Sequence, residues 1–413
     1  MKILMVNKFL HPNGGSETYM FRLGEYLQSQ GHTVEYFGMA HEERMVGNSA
    51  GCYVRQMDFH KNSVKNLAAS LKTIYSWEAR RKIRIVLEDF KPDIVHLNNV
   101  NFQLTPSIYY EIKKHRIPMV QTVHDPQIAC PCHRLFIEQK QLVCTECLGG
   151  KYRYCFDHCC VAGSRLKSLI AALESWYYHR RHAYDLVDTY ICPSGFMANV
   201  LRQSGVRGDK LQVLCNFPSV DPAPITVEKK NYVLYFGRYS VEKGLRTLLE
   251  ACRKLPDIPF LFAGAGPLED ELAGLPNVTN LGFQTGDALR ALISAAAFSV
   301  YPSVWYENCP LSVLESQALG TPVLGSDIGG IPELITPGKT GELFRSGHAD
   351  DLAEKIALLF YAGRRREAMR EHCLFRGSAV GIGHYYARLI AIYAGAITGL
   401  EIIHEKTAFN GYQ

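Results

Sequence analysis

Short apolar runs alternate with helical stretches along this chain, and the alternation restarts after a proline-rich break, which predicts an α/β protein of two Rossmann-like, doubly wound parallel-sheet domains facing a central cleft. Two further observations point the same way. The 413 residues exceed what one ordinary core organises, and a composition of 47% hydrophobic and 21% charged residues is that of a globular protein.

The first half opens with a buried-type strand over Lys2–Asn7, a turn at His11–Gly15 and a helix from Glu17 to about Gln30. Further strands are predicted over 31–37, 93–97, 118–123 and 188–194. Asn216–Pro224, with three prolines and no periodicity, reads as the linker. Beyond it, strands are predicted over 232–236, 259–263, 278–281, 298–301, 322–325 and 341–344. The domain reading is therefore 1–215, a linker 216–230, a second domain 231–380, and a helical tail 381–413 long enough to return to the first domain. In such sheets ligands bind beyond the carboxyl ends of the strands, so two facing domains share one cleft.

Charge is uneven. Residues 1–220 hold 27 Lys and Arg against 19 Asp and Glu, and residues 221–413 hold 18 against 21. Much of the excess lies in Lys61, Lys65, Lys72, Arg80, Arg81, Lys82 and Arg84, interleaved with Leu67, Leu71, Ile74, Tyr75, Trp77, Ile83 and Val86. A basic amphipathic helix there suits an anionic membrane surface, and a solvated helix face is the plain alternative. No apolar run is long enough to span a bilayer, and Met1–Val6 runs into a polar glycine loop instead of a secretory signal. The expected location is cytoplasmic, with peripheral attachment to the inner face of the cell membrane as an extension.

Chemistry concentrates in four places. Gly14-Gly15-Ser16-Glu17 ends the first strand and opens the first helix, where a backbone without side chains approaches an anion closely. Gly237-Arg238 with Lys243-Gly244 holds the equivalent position in the second half, and two cations at a helix start suit a diphosphate. Glu307-Asn308-Cys309-Pro310-Leu311, followed by Glu315, places two carboxylates around a proline suited to a first helical position, with outward amides between them. That layout fits a ligand with sugar hydroxyls at one end and a ribose at the other. His124-Asp125 ends a strand of the first domain.

In order and spacing these motifs, with Gly329-Gly-Ile-Pro-Glu333, resemble those of retaining glycosyltransferases of family 4 (group 1), which have the GT-B fold. The resemblance covers nearly the whole chain and is strongest from Tyr232 to about Leu343. It implies a nucleoside-diphosphate sugar donor, with uridine the expected base, and a saccharide or lipid-linked acceptor in cell-surface polysaccharide or glycolipid synthesis. Glu315 would bind the ribose, Glu307 and the amides of Asn308–Leu311 the donor sugar, and Arg238 and Lys243 the diphosphate. Gly14 and Gly15 would lie over the phosphates, and His124 near the anomeric carbon. No Asp-x-Asp motif stands in the expected context, so cations are expected to replace a catalytic divalent metal.

Seven of 13 cysteines fall between Cys130 and Cys160. The Cys144-x-x-Cys147 spacing matches structural zinc sites, and a reducing compartment disfavours disulfides. The resemblance implies Cys130, Cys144, Cys147 and Cys160 as ligands, with Cys132, Cys155, Cys159, His133 and His158 as alternates. An iron–sulfur cluster and a loop of free thiols are the other readings. Two other functions compete with sugar transfer. One is a metal-dependent binding module gripping nucleic acid, for which no recognised motif is present. The other is a different nucleotide-sugar enzyme, an epimerase or phosphorylase, on the same fold.

Overall fold

The computed structural model describes residues 1–56, 74–101, 103–220 and 228–399. Two six-stranded, all-parallel sheets organise it. The first runs β2 (Thr33–Phe37), β1 (Lys2–Val6), β3 (Ile94–Leu97), β4 (Met119–Thr122), β7 (Thr189–Cys192), β8 (Leu211–Val213). The second runs β11 (Val278–Asn280), β10 (Phe260–Ala263), β9 (Val233–Phe236), β12 (Phe298–Tyr301), β13 (Val323–Ser326), β14 (Gly341–Phe344). A two-stranded antiparallel ribbon, β5 (Phe136–Ile137) with β6 (Leu142–Val143), lies in the cysteine-rich insert. Nearly every strand residue is buried, as continuous apolar runs covered on both faces require. The strand order reverses at β1/β3 and at β9/β12; the loops leaving β1, β9 and β12 carry the glycine, cation and carboxylate motifs, and His124-Asp125 follows β4.

The chain after β14 forms three helices, Ala349–Tyr361, Gly363–Ala379 and Ile382–Thr398, the last two separated at extended Gly381. The last of them returns to the first domain. Its Tyr385, Leu389, Ile392 and Tyr393 join Ile3, Met5, Tyr19 and Leu23 in one buried cluster. Tyr385 Oη lies 2.5 Å from Tyr19 Oη, and Tyr393 Oη 2.6 Å from His96 Nδ1. Residues 400–413 of the predicted tail, and 221–227 of the linker, lie outside the described residues. The linker's Phe217, by contrast, is buried against Tyr19 and Tyr385.

His96 is fully buried on β3, and burial lowers its pKa to about 3, so its imidazole is neutral. Its other nitrogen meets Thr122 Oγ1 at 2.8 Å, so both ring nitrogens are satisfied. Tyr393→Phe strips one partner from a buried polar atom. The expected loss is about 1–3 kcal/mol, read as a fall in melting temperature of a few to about 10 °C. An unchanged melting temperature would mean that this bond does not hold the tail.

The basic stretch behaves differently from its expected membrane role. Lys61, Lys65, Leu67, Leu71 and Lys72 lie outside the described residues. In the helix Trp77–Phe90, Ile83 and Val86 are buried, Arg81 is exposed, and the other three cations turn to protein carboxylates. Arg80 and Arg84 both bind the buried Glu111, at 2.8 and 2.6 Å, and Lys82 binds Glu78 at 2.7 Å. Among the described residues, no helix is long and apolar enough to cross a membrane.

Candidate active site in the interdomain cleft

Lys243 and Glu307 meet at the mouth of the second sheet. Lys243 follows β9 and Glu307 follows β12, the two strands flanking the reversal, and Nζ lies 2.6 Å from Oε1. Glu307 is buried, and the same oxygen accepts from Trp305 Nε1 at 2.6 Å and Ser303 Oγ at 3.2 Å. Lys243 also reaches Tyr301 Oη at 3.2 Å. Burial alone would discharge this lysine, but Glu307 and Tyr301 outweigh it and raise its pKa, so it stays an ammonium. Arg238 is exposed at the end of β9, and among the described residues no carboxylate pairs with it. One fixed and one free cation therefore stand at the same strand end.

Pro310 has φ −65° but ψ 121°, so the helix begins at Leu311 and Pro310 is its extended cap, one residue before the position expected. The fixed proline φ serves either conformation, so the sequence left ψ open. Glu315 lies on the second turn of this helix, where Ser219 Oγ donates to it and burial raises its pKa. Cys309 turns its thiol away from the cleft mouth, to within 3.5 Å of Cys215 Sγ in an apolar cluster, leaving only its backbone for a donor.

The first domain supplies the facing wall. A Cβ on Gly15 would lie 3.6 Å from Leu311 Cδ1, which sets the glycine loop against the helix start of the second domain. Glu17 anchors that loop: Asn7 Nδ2 donates to Oε1 at 2.9 Å and Ser16 Oγ to Oε2 at 3.0 Å. His124 follows β4, burial lowers its pKa to about 3, and its Nε2 lies 2.9 Å from Asn98 Oδ1. Neutral His124 therefore donates from Nε2 to Asn98.

Asn308 joins the halves. Its Nδ2 donates to the carbonyls of Val123 and His124 at 2.7 and 3.2 Å, and Ser194 Oγ donates to its Oδ1 at 2.7 Å. Beside it, the Glu333 carboxylate accepts from the Gly195 and Phe196 amides at 2.7 and 2.6 Å, capping a first-domain helix from the second domain. Gly330 permits this approach, since a Cβ there would stand 1.8 Å from the Asn308 carbonyl oxygen. Nothing in the sequence singles out Ser303, Asn98 or Ser194, and Glu333 stands out there only as the end of Gly329-Gly-Ile-Pro-Glu333. A tryptophan two residues before Glu307 was the one available signal.

Among the described residues, no group of three or more His, Cys, Asp or Glu side chains is placed to hold a metal ion. Cys130, Cys144, Cys147 and Cys160, the expected ligand set, do not form one, and the alternates do not complete it. Instead Cys147, Cys155 and Cys160 pack with Ile137, Tyr152 and Ala172 in a small apolar core that Cys132 and Cys144 border. Neighbouring thiols and burial push the Cys130, Cys147 and Cys160 thiols up. The insert reaches the cleft: Phe136 meets Trp305 edge-on at 6.3 Å, and Arg134 lies 5.6 Å over the same ring.

Two doubly wound sheets with their reversal points facing across one cleft define the GT-B class of fold. The family described as Glycosyltransferase Family 4 matches residues 13–221, and Glycosyl transferases group 1 matches residues 220–373. The chain belongs to glycosyltransferase family 4. A sulfoquinovosyl transferase of Arabidopsis thaliana is 36% identical over 146 residues, covering 34% of this chain and 28% of that protein. An alpha-D-kanosaminyltransferase of Streptomyces kanamyceticus is 29% identical over 157 residues, covering 35% and 40%. The match thus spans less than half of either relative. An uncharacterised glycosyltransferase of Methanocaldococcus jannaschii is 25% identical over 356 residues, covering 81% of this chain and 83% of that one. Among solved structures, Anabaena HepE in complex with UDP superposes with a TM-score of 0.69 at 17% identity, covering 96% of this chain and 100% of that one. Sucrose-phosphate synthase from Thermosynechococcus elongatus gives 0.68 at 16% identity, covering 96% and 99%.

Proposed function

We propose that this protein transfers a sugar, with retention of configuration, from a nucleoside diphosphate to a saccharide or lipid-linked acceptor in cell-surface polysaccharide or glycolipid synthesis. The observation that carries this reading is the buried Lys243–Glu307 pair at the strand reversal, with Arg238 unpaired beside it and His124 linked to the same loop through Asn308. As the glycosyl–phosphate bond breaks, positive charge grows on the sugar ring and negative charge on the diphosphate. Lys243, Arg238 and the amides before Leu311 stand where that negative charge develops, and stabilise it more than they do the ground state. Glu307 accepts from donor hydroxyls and fixes the sugar. Neutral His124 serves as a hydrogen-bonding wall near the anomeric carbon, and the leaving phosphate takes the acceptor's proton on the same face. Glu315 and Ser219 take the ribose end. Uridine is the favoured base, supported by HepE, a protein of the same fold solved with UDP and with UDP-glucose.

A thermal-shift panel of nucleotide sugars tests the donor. A ligand at 100 times its dissociation constant stabilises by about 2.7 kcal/mol, so one UDP-sugar should raise the melting temperature by several degrees while unrelated nucleotides do not. Transfer of radiolabelled sugar should then persist in excess chelator, because cations carry the role of a catalytic metal. Epimer formation without transfer would overturn the reaction class, and loss of transfer on chelation with recovery on adding magnesium would overturn metal independence.

A further inference from the structure

The helix Arg165–Arg180, which follows the cysteine insert, is amphipathic in an unusual sense. Its inward face is built of Ser168, Ala172, Ser175 and Tyr178, all buried. Its outward face carries Leu166, Leu169, Leu173 and Trp176, exposed by 55, 40, 45 and 57%. Steps of three, four and three residues put these four side chains within an arc of about 80° on a 3.6-residue helix. Single exposed apolar residues are ordinary, whereas a continuous stripe on one helix marks a contact surface. Trp77, 73% exposed, extends the apolar surface: its ring lies 4.7 Å from that of Tyr75, which in turn meets Tyr177 of the helix.

Charge identifies the occupant. Exposed cations stand at both ends of the stripe, Arg165 and Lys167 at one and Arg180 and Arg181 at the other. Among the described residues no carboxylate pairs with any of them, unlike Arg80, Arg84 and Lys82. The helix's only acid, Glu174, lies off the stripe, and burial raises its pKa to about 8, so it adds little negative charge at neutral pH. Apolar residues and tryptophan flanked by cations that pair with no carboxylate among the described residues suit a bilayer with anionic headgroups, where the stripe enters the acyl boundary and the cations meet phosphate.

We propose that the face formed by Leu166, Leu169, Leu173 and Trp176, with its flanking arginines and lysine, docks the protein on an anionic phospholipid bilayer. The helix packs on the insert through Ala172, and the insert's Phe136 meets Trp305, the residue that donates to Glu307. Docking therefore holds the acceptor side of the cleft beside the bilayer and selects a lipid-linked acceptor over a free saccharide. As a statement about acceptor supply this rests on the transfer reading, but docking is measured without donor or turnover. A chain that glycosylates a soluble acceptor yet ignores vesicles therefore sinks the docking alone.

Flotation of the full chain with vesicles of phosphatidylcholine, and of phosphatidylcholine with phosphatidylglycerol, tests it. Binding is expected to the anionic vesicles, with a blue shift in tryptophan fluorescence that Trp176→Phe reduces and Trp176→Phe with Trp77→Phe removes. Leu169→Gln with Leu173→Gln should weaken binding more than tenfold without lowering the melting temperature, since both side chains are solvent-facing. Arg165→Gln, Lys167→Gln and Arg180→Gln should weaken it about fivefold each and flatten its salt dependence. Equal flotation of parent and leucine variants, or no flotation of the parent, overturns the proposal. So does a concentration-dependent dimer that Leu173→Gln abolishes, which would assign the face to a second copy of this chain.

Discussion

Lys243→Ala should abolish sugar transfer and destabilise the fold together. The substitution leaves the buried Glu307 carboxylate with Trp305 and Ser303 as its partners among the described residues. Removing one member of a buried pair costs about 3–5 kcal/mol, because the remaining charge stays desolvated without compensation. In a domain of this size that lowers the melting temperature by roughly 6–20 °C. Losing a cation at the developing diphosphate charge should reduce kcat/KM by at least about 10²-fold. The two effects separate in the double variant Lys243→Met with Glu307→Gln, which removes both charges. Most of the stability should return while transfer stays absent. If the double variant stays as unstable as the single one, the pair is not the source of the stability loss. If Lys243→Ala retains transfer, the catalytic role is wrong.

Gly244→Ala should have the second largest effect, through backbone alone. Gly244 caps the helix Leu245–Lys254 at φ 72°, and a Cβ there would stand 1.8 Å from the Pro302 carbonyl oxygen. The left-handed conformation costs alanine about 1–2 kcal/mol, and the clash forces the 302–307 loop outward. That loop is laced to the same turn: Val304 N donates to the Glu242 carbonyl at 3.0 Å, and Ser303 Oγ at 3.1 Å. Displacing it moves Ser303 and Trp305 from Glu307, so donor-dependent thermal stabilisation should vanish and the melting temperature should fall by about 5–10 °C. Gly274→Ala is the control. Its φ is +83° and nothing lies within 4 Å of its added Cβ, so it carries the conformational penalty without the clash. Equal behaviour of the two variants would show that φ, and not contact with Pro302, accounts for the loss.

Much of this architecture was legible because parallel strands buried on both faces write themselves as uninterrupted apolar runs, such as Val233–Phe236 and Phe298–Tyr301. The short edge strand Leu211–Val213 and the ribbon at Phe136 and Leu142 have no such signature, and neither was foreseen. Within the candidate site the charged residues are visible in the sequence, because Arg238, Lys243 and Glu307 all follow strand ends. What could not be read was which side chain satisfies which. Asn308 looked like one more donor amide, yet its side chain spans the cleft to His124, a contact 184 residues away in sequence. The cysteine spacing suggested chelation because spacing along a chain constrains only neighbours. The folded insert surrounds those thiols with Tyr152, Ile137 and Ala172 in a small apolar core.

The return of the last helix to the first sheet has a consequence for how the protein is made. Tyr393 and His96 are 297 positions apart, and Tyr385 is 366 from Tyr19. At about 5–20 residues per second, the ribosome needs roughly 15–60 s to add Tyr393 after His96. Throughout that interval one face of the first sheet is covered only in part, by the helix that carries Tyr19 and Leu23, and His96 Nδ1 lacks its Tyr393 partner, while the second domain can complete its own core. The domain synthesised first is therefore the one finished last, and nascent chains stalled before Tyr385 are the form most exposed to chaperones and aggregation.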